Sequence, residues 1–95
     1  MLFVVTAFDR PGARPLRVRH RPAHLDYLKG KAGQIRAGGA LLDPEDQPIG
    51  SMLIIEAADQ AAAEDLVAGD PFRREGVFER VEVRPWRAVL GSWVA

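Results

Sequence analysis

The sequence predicts an α+β fold in which strands and helices follow one another in the order β-α-β-β-α-β. Three observations carry this prediction. Two apolar runs, Leu2 to Phe8 and Gly50 to Ala57, are typical of strands buried on both faces. Apolar residues at intervals of three and four mark a helix between these runs. Near the end of the chain, apolar and charged residues alternate over Val77 to Trp86, which is typical of a strand with one face in water.

The first half of the chain is predicted to hold the first strand, a loop and a long helix. Asp9 to Leu16 contains two prolines and a glycine, so it is assigned to the loop. The helix is predicted from about Pro22 to Arg36, with Pro22 in the first turn, where its missing N–H costs nothing. Gly38 and Gly39 are predicted to end the helix. Its apolar stripe consists of Leu25, Leu28, Ala32 and Ile35.

The second half is predicted to hold three strands and a second helix. Ala40 to Asp43 is predicted to form a short strand, and the acidic, proline-rich stretch after it a turn. Asp59 is expected to cap a helix over Gln60 to Ala68, and Asp70 with Pro71 predicts one further helical turn. The resulting order is the split βαβ, or ferredoxin-like, arrangement, in which a four-stranded antiparallel sheet carries both helices on one face.

Composition excludes several classes of function. The 95 residues form a single domain, 1–95, with 13 basic and 13 acidic side chains, and such a neutral chain is a poor candidate for binding nucleic acid or a membrane surface. It contains no cysteine, which excludes disulfides, cysteine-zinc sites and thiol nucleophiles and agrees with a cytoplasmic location. It has no phosphate-cradling glycine loop or dinucleotide motif, so no cofactor is expected.

Charge is distributed unevenly along the chain. Residues 1–40 hold eight basic and two acidic side chains, whereas residues 41–95 hold five basic and eleven acidic ones. Four arginines lead into the first predicted helix, and they form either a solvated stretch or an attraction for an anionic substrate. Arg21 is the candidate anion contact because it is the nearest of the four to His24. The four are Arg14, Arg17, Arg19 and Arg21.

Two histidines and one aspartate are the candidates for chemistry. His20 and His24 are four residues apart, but no third ligand is evident, so a metal site is not supported. His24 lies at the edge of the apolar stripe, where it either completes the packing or acts as a general acid or base. Asp70 precedes a proline that opens a helical turn, so it is expected to cap that turn. Capping and catalysis are compatible because a carboxylate has two oxygens.

Three stretches of the chain together resemble one known family. Arg21-Pro22-Ala23-His24-Leu25, followed by Tyr27-Leu28, resembles the first-helix motif of the YciI-like, or YCII-related, proteins. Gly69-Asp70-Pro71-Phe72 with Gly76-Val77-Phe78 is similar to that family's Asp-Pro-aromatic segment and the strand after it. Val81-Glu82-Val83-Arg84-Pro85-Trp86 is similar to its closing strand. In this order the motifs cover almost the whole chain.

The resemblance implies a dimeric α+β barrel of ferredoxin-like subunits, akin to muconolactone isomerase. It also implies a site built on the histidine of the first motif and the aspartate of the second, which are His24 and Asp70 here. Family members often carry Gly-Pro where this chain has Gly39-Ala40, so the pocket wall is expected to differ there. Lyase-like or dehydrochlorinase-like activity has been suggested for some members.

The function expected from these observations is a cofactor-independent, lyase- or isomerase-like enzyme acting on a small, anionic organic molecule. His24 is the expected general acid or base, Asp70 its orienting partner and Arg21 a substrate contact. The alternatives are a non-catalytic module that binds a small ligand, or a structural dimerisation unit. A homodimer is expected because the two buried strands are apolar on both faces. Trp86 and Trp93 are expected to bury subunit or sheet surface.

Overall fold

Four strands form one antiparallel sheet whose order is β2-β3-β1-β4. The computed structural model describes residues 1–91, and Trp93 lies outside them. The arrangement confirms the predicted ferredoxin-like α+β fold, with a short third helix at the turn predicted for Asp70 and Pro71. In chain order the elements are β1 (Leu2–Asp9), α1 (Arg14–Gly30), β2 (Ile35–Leu42), β3 (Pro48–Glu56), α2 (Gln60–Ala68), α3 (Pro71–Arg74) and β4 (Phe78–Pro85).

The helices cover one face of the sheet. Phe3 and Val5 of β1 lie opposite Ile55 and Leu53 of β3, and all four side chains are buried on the helix side. Because strand side chains alternate between faces, Val4 of β1 lies on the face without helices. The main core cluster therefore forms between the sheet and α2. Its members are Phe3, Val5, Leu53, Ile55, Ala57, Ala63, Leu66 and Val67.

The helix-free face changes character from one edge of the sheet to the other. Toward β2 it is apolar, and Met52 of β3 is exposed there. Along β4 it is charged, and the guanidinium of Arg80 lies 4.5 Å from the centre of the Phe8 ring on β1. The alternation predicted for β4 is confirmed, since Val81 and Val83 pack against the main core cluster on the opposite side.

The predicted start of the first helix is wrong, because α1 begins at Arg14 and not near Pro22. Pro15 occupies the first turn, and Pro22 lies inside the helix, where it supplies no N–H to the preceding turn. The four arginines and His20, which precede the predicted helix, are therefore helical. The first turns show no apolar stripe because the side chain they bury against the sheet is Arg17.

The predicted end of that helix is also wrong. The helix stops at Gly30, and Gly38 and Gly39 lie in the middle of β2. A Cβ atom at Gly38 would collide with the end of the Leu53 side chain, so the glycine leaves room for that leucine to pack over β2. Ala40, expected to start a short strand, belongs to the same eight-residue β2. No helix among residues 1–91 is long and apolar enough to cross a membrane.

Candidate functional site

Helix α1 turns two polar side chains toward the sheet. Arg17 and His24 are seven residues apart, which is two helical turns, and each is only 8% exposed. Asp70 approaches His24 from the turn between α2 and α3 and is 4% exposed. The site is thus assembled by a long helix, a helix-to-helix turn and the strands beneath them.

His24 and Asp70 form a hydrogen-bonded pair. Nδ1 of His24 lies 2.7 Å from Oδ1 of Asp70; because a carboxylate can only accept, we assign the hydrogen to Nδ1, and in the neutral ring the lone pair is then on Nε2. The same Oδ1 accepts the backbone N–H of Phe72 at 3.0 Å, so Asp70 also caps α3. The Phe72 ring stacks on the imidazole with centres 3.8 Å apart and planes 6° apart. Both expected roles of Asp70, as a cap and as a histidine partner, are geometrically compatible.

Arg17 is the second centre of the site. Its Nε donates to Oδ2 of Asp9 at 2.8 Å, and its Nη2 donates to Oδ1 of the same carboxylate at 3.2 Å. The Nη2 group also donates to the Gly50 carbonyl at 2.8 Å and to the Ser51 hydroxyl oxygen at 3.1 Å. The guanidinium carbon lies 4.8 Å from the centre of the Phe72 ring. These contacts hold a buried cation in a fixed orientation.

A cavity of about 170 Å³ connects the two centres. For scale, an engineered cavity of about 150 Å³ in another protein accepts benzene. The wall formed by β2 consists of residues with little or no side chain, which include the Gly39-Ala40 pair expected to shape the pocket. The cavity is lined by Arg17, Arg21, His24, Leu25, Leu28, Gly38, Gly39, Ala40, Ser51, Leu53 and Phe72.

The structure brings the two residues predicted for catalysis together and places the predicted substrate contact at the margin. Arg21 lines the cavity, but its side chain is exposed. The buried guanidinium is that of Arg17, which was expected to precede the helix. Asp9 and Ser51 were missed as well. The one signal in the sequence was the seven-residue spacing from Arg17 to His24, which places both on one helical face if the helix begins early enough.

Tyr27 lies one turn after His24 on α1. Its hydroxyl donates to the carbonyl of Leu66 in α2 over 2.6 Å. Burial, followed by the negative charge of Asp70, raises the pKa of Tyr27 above its ordinary value of 10.0. The phenol therefore remains protonated at neutral pH and acts as a donor.

A metal site finds no support in this geometry. Among residues 1–91, no three His, Cys, Asp or Glu side chains lie close enough to hold a metal ion. His20 is on the same helix as His24 but does not line the cavity.

Comparison with known proteins identifies the family. The model of the YCII-related domain matches residues 1–87. Proteins named YciI from Escherichia coli O6:H1 and Shigella flexneri are 32% identical over 98 residues, which cover 95% of this chain and 100% of each relative. An uncharacterized protein from Haemophilus influenzae is 30% identical over 102 residues, again across 95% of this chain and its own full length.

One solved structure adds a chemical context. It is 5-chloro-2-hydroxyhydroquinone dehydrochlorinase (TftG) from Burkholderia phenoliruptrix AC1100, in complex with 2,5-dihydroxybenzoquinone. It superposes with a TM-score of 0.84 and 35% sequence identity, over 92% of this chain and 94% of that one. The structural neighbour is a lyase-type enzyme acting on a small molecule. On the family match, the sequence relatives and this shared fold, the chain belongs to the YCII-related family.

Proposed function

We propose that the protein is a cofactor-independent enzyme of the lyase or isomerase type that transfers a proton on a small, anionic, ring-bearing molecule. One observation carries the proposal: His24, which is hydrogen-bonded to Asp70, lines the same cavity as Arg17 and Ser51, which are in contact with each other. A reaction through an oxyanion needs a group that transfers the proton and a cation that stabilises the negative charge, and His24 and Arg17 can supply these two.

His24 is the proposed general acid or base. Because its Nδ1–H is held by Asp70, the lone pair of Nε2 is available to accept a proton from the ligand. Once the imidazole is protonated, the carboxylate of Asp70 stabilises the resulting positive charge at 2.7 Å. The stacked Phe72 ring restricts rotation of the imidazole about its side-chain bonds.

Arg17 and Ser51 are the proposed oxyanion contacts. Within residues 1–91 the hydrogen bonds of Arg17 use Nε and Nη2, so its Nη1 group retains donors for a ligand in the cavity. Ser51 accepts from Arg17 through its oxygen, which leaves its own O–H free to donate. Asp9 fixes the guanidinium and balances its charge. Arg21, at the margin, attracts anions toward the cavity.

The substrate class is supported by the cavity and by the neighbour. A space of about 170 Å³ suits a single substituted ring, and the related dehydrochlorinase is solved with a dihydroxyquinone. In such an elimination from a chlorinated hydroquinone, one hydroxyl proton first moves to the chlorine-bearing carbon, which gives a keto tautomer. His24 then takes the proton of a second hydroxyl, the freed electron pair forms the second C=O and shifts the ring double bond, and the C–Cl bond breaks with its electron pair leaving on chloride. The net loss is HCl, and no oxidant or reductant is needed. An isomerisation differs only in that the proton returns to another atom.

The proposed functional unit is a homodimer, in line with the barrel that the family resemblance implies. Support comes from apolar residues on and beside the helix-free face, including the exposed Met52, Leu42 and Ile49. Light scattering should give twice the chain mass, and a mass of 10.4 kDa at micromolar concentration would contradict the dimer. A cytoplasmic location stays a prediction.

The proposed activity is tested by chloride release from 5-chloro-2-hydroxyhydroquinone. The purified protein should release chloride, and His24→Gln should lower kcat by about 10²–10⁴-fold. The matched control is His20→Gln, which changes the other histidine of the same helix outside the cavity and should retain wild-type kcat. Binding of 2,5-dihydroxybenzoquinone without turnover of any small phenolic or enolic acid would favour the non-catalytic module.

A further inference from the structure

Tyr27 ties the helix that carries His24 to the segment that leads into Asp70. The last carbonyls of a helix lack partners within it. At the end of α2, the Asp65 carbonyl accepts the N–H of Gly69, and the Val67 carbonyl accepts that of Asp70. The Leu66 carbonyl between them accepts the Tyr27 hydroxyl at 2.6 Å. The tyrosine thus supplies a donor from a different helix at the end of α2.

Gly69 has no side chain and so leaves room for the Tyr27 ring. Its φ is −81°, a conformation open to any residue, so the glycine is not required by the backbone. A Cβ atom there would lie 2.5 Å from the Tyr27 hydroxyl oxygen and 2.9 Å from Cζ. Any larger residue would push the phenol away from Leu66 or displace the residue immediately before Asp70. The contact between the Tyr27 hydroxyl and Leu66 therefore depends on a glycine at position 69.

We propose that Tyr27 is a positioning residue that sets the distance between His24 and Asp70, a role that rests on the proposed proton-transfer function. His24 and Tyr27 are one helical turn apart on α1, and their partners Asp70 and Leu66 are four residues apart. Two parallel hydrogen bonds therefore join the same two segments. Removing the second allows residues 66–70 to shift relative to α1, so the first lengthens and His24 loses its single tautomer.

The charge distribution supports this assignment. Asp70 lies close enough to Tyr27 for its negative charge to raise the pKa of the phenol, after the larger effect of burial. The ammonium of Lys31 lies 5.6 Å from the centre of the tyrosine ring. Because the neutral Tyr27 hydroxyl donates to the Leu66 carbonyl, it does not compete with His24 for the carboxylate of Asp70.

The test compares Tyr27→Phe with Gln60→Met by NMR of the imidazole ring nitrogens in the ligand-free protein. The control is matched, since the Gln60 side chain donates to the Val83 carbonyl at 2.8 Å and ties the opposite end of α2 to β4. We expect wild type and Gln60→Met to show only the Nδ1–H tautomer of His24. In Tyr27→Phe, a second population with the proton on Nε2 should appear.

Kinetics give the second measurement. Tyr27→Phe should lower kcat about 10–100-fold while KM changes little, because the cavity walls are intact. Should that variant fail to fold, Gly69→Ala keeps the hydroxyl and should give the same second tautomer. Unchanged tautomers in a folded Tyr27→Phe variant overturn the proposal. If Tyr27→Phe shows the second tautomer but the wild-type protein has no turnover, the proposed activity is contradicted and the positioning role stands.

Discussion

The helix side of the sheet has two ends that differ in chemistry. Under α2, Phe3 and Ile55 are fully buried among aliphatic side chains. Under α1 and α3, the same two strands present Asp9 and Ser51 to a buried arginine. One end is purely a hydrocarbon core, whereas the other combines a smaller apolar cluster around Phe72 with a network of paired polar groups. The domain therefore has its larger apolar cluster at one end and its buried polar groups at the other.

The contrast explains the composition of α1. A helix normally packs through an apolar stripe, but α1 buries Arg17 and His24 against the sheet. Burying a charge is unfavourable unless it is paired, and each of these side chains has a carboxylate partner, Asp9 or Asp70. Removing one partner of such a pair should therefore destabilise the polar end through an unpaired buried group, whereas a substitution at the apolar end acts through lost packing.

The largest expected effect is at the apolar end. Phe3→Ala removes a fully buried ring and should lower the free energy of unfolding by about 3–5 kcal/mol, measured by urea denaturation. The conservative Phe3→Leu should cost much less, because most of the volume is retained. A loss below about 1 kcal/mol for Phe3→Ala would show that this end is not the main source of stability.

The second effect is at the polar end and depends on pairing. Asp9→Ala leaves the Arg17 cation buried and should destabilise by about 3 kcal/mol. Adding Arg17→Met to Asp9→Ala should restore much of this loss, since the double variant contains no unpaired charge. A double variant less stable than Asp9→Ala would contradict the view that desolvation dominates here. The measurement is a double-mutant cycle by urea denaturation.

The third effect is smaller and depends on pH. Because the pKa of Tyr27 is raised in the folded state, the folded chain holds the phenolic proton more tightly than the unfolded chain. Stability from this group is therefore complete below about pH 10 and falls as pH rises further. Tyr27→Phe should lose less stability than wild type between about pH 9 and about pH 11, by urea midpoints. Equal losses of stability in the two proteins would contradict the raised pKa of Tyr27.

The same contrast decides what could be predicted from the sequence. Helix α2 follows from local signals, and Asp59 does cap it by accepting the N–H of Ala62 at 2.8 Å. The true start of α1 could not be found by counting apolar residues, since its buried side chain there is Arg17. Gly38 was taken as a helix end because the Leu53 side chain that packs against it comes from a distant part of the chain, which local patterns cannot reveal.

The pairing of His24 with Asp70 was expected from the family resemblance and not from any pattern in the residues. The two are 46 positions apart, so no periodicity links them. Asp9 and Ser51 could not be recognised either, because their importance depends on the guanidinium that the fold places between them.

The central claim is that Asp70 contributes its charge to His24 in addition to capping α3, and Asp70→Asn tests it most directly. Asparagine caps as well as aspartate, but it lacks the charge and its amide can also donate to Nδ1, which permits the other tautomer. We expect kcat to fall by about 10²–10⁴-fold while the urea midpoint stays near that of wild type. Wild-type kcat in a folded Asp70→Asn variant would show that Asp70 is only a cap.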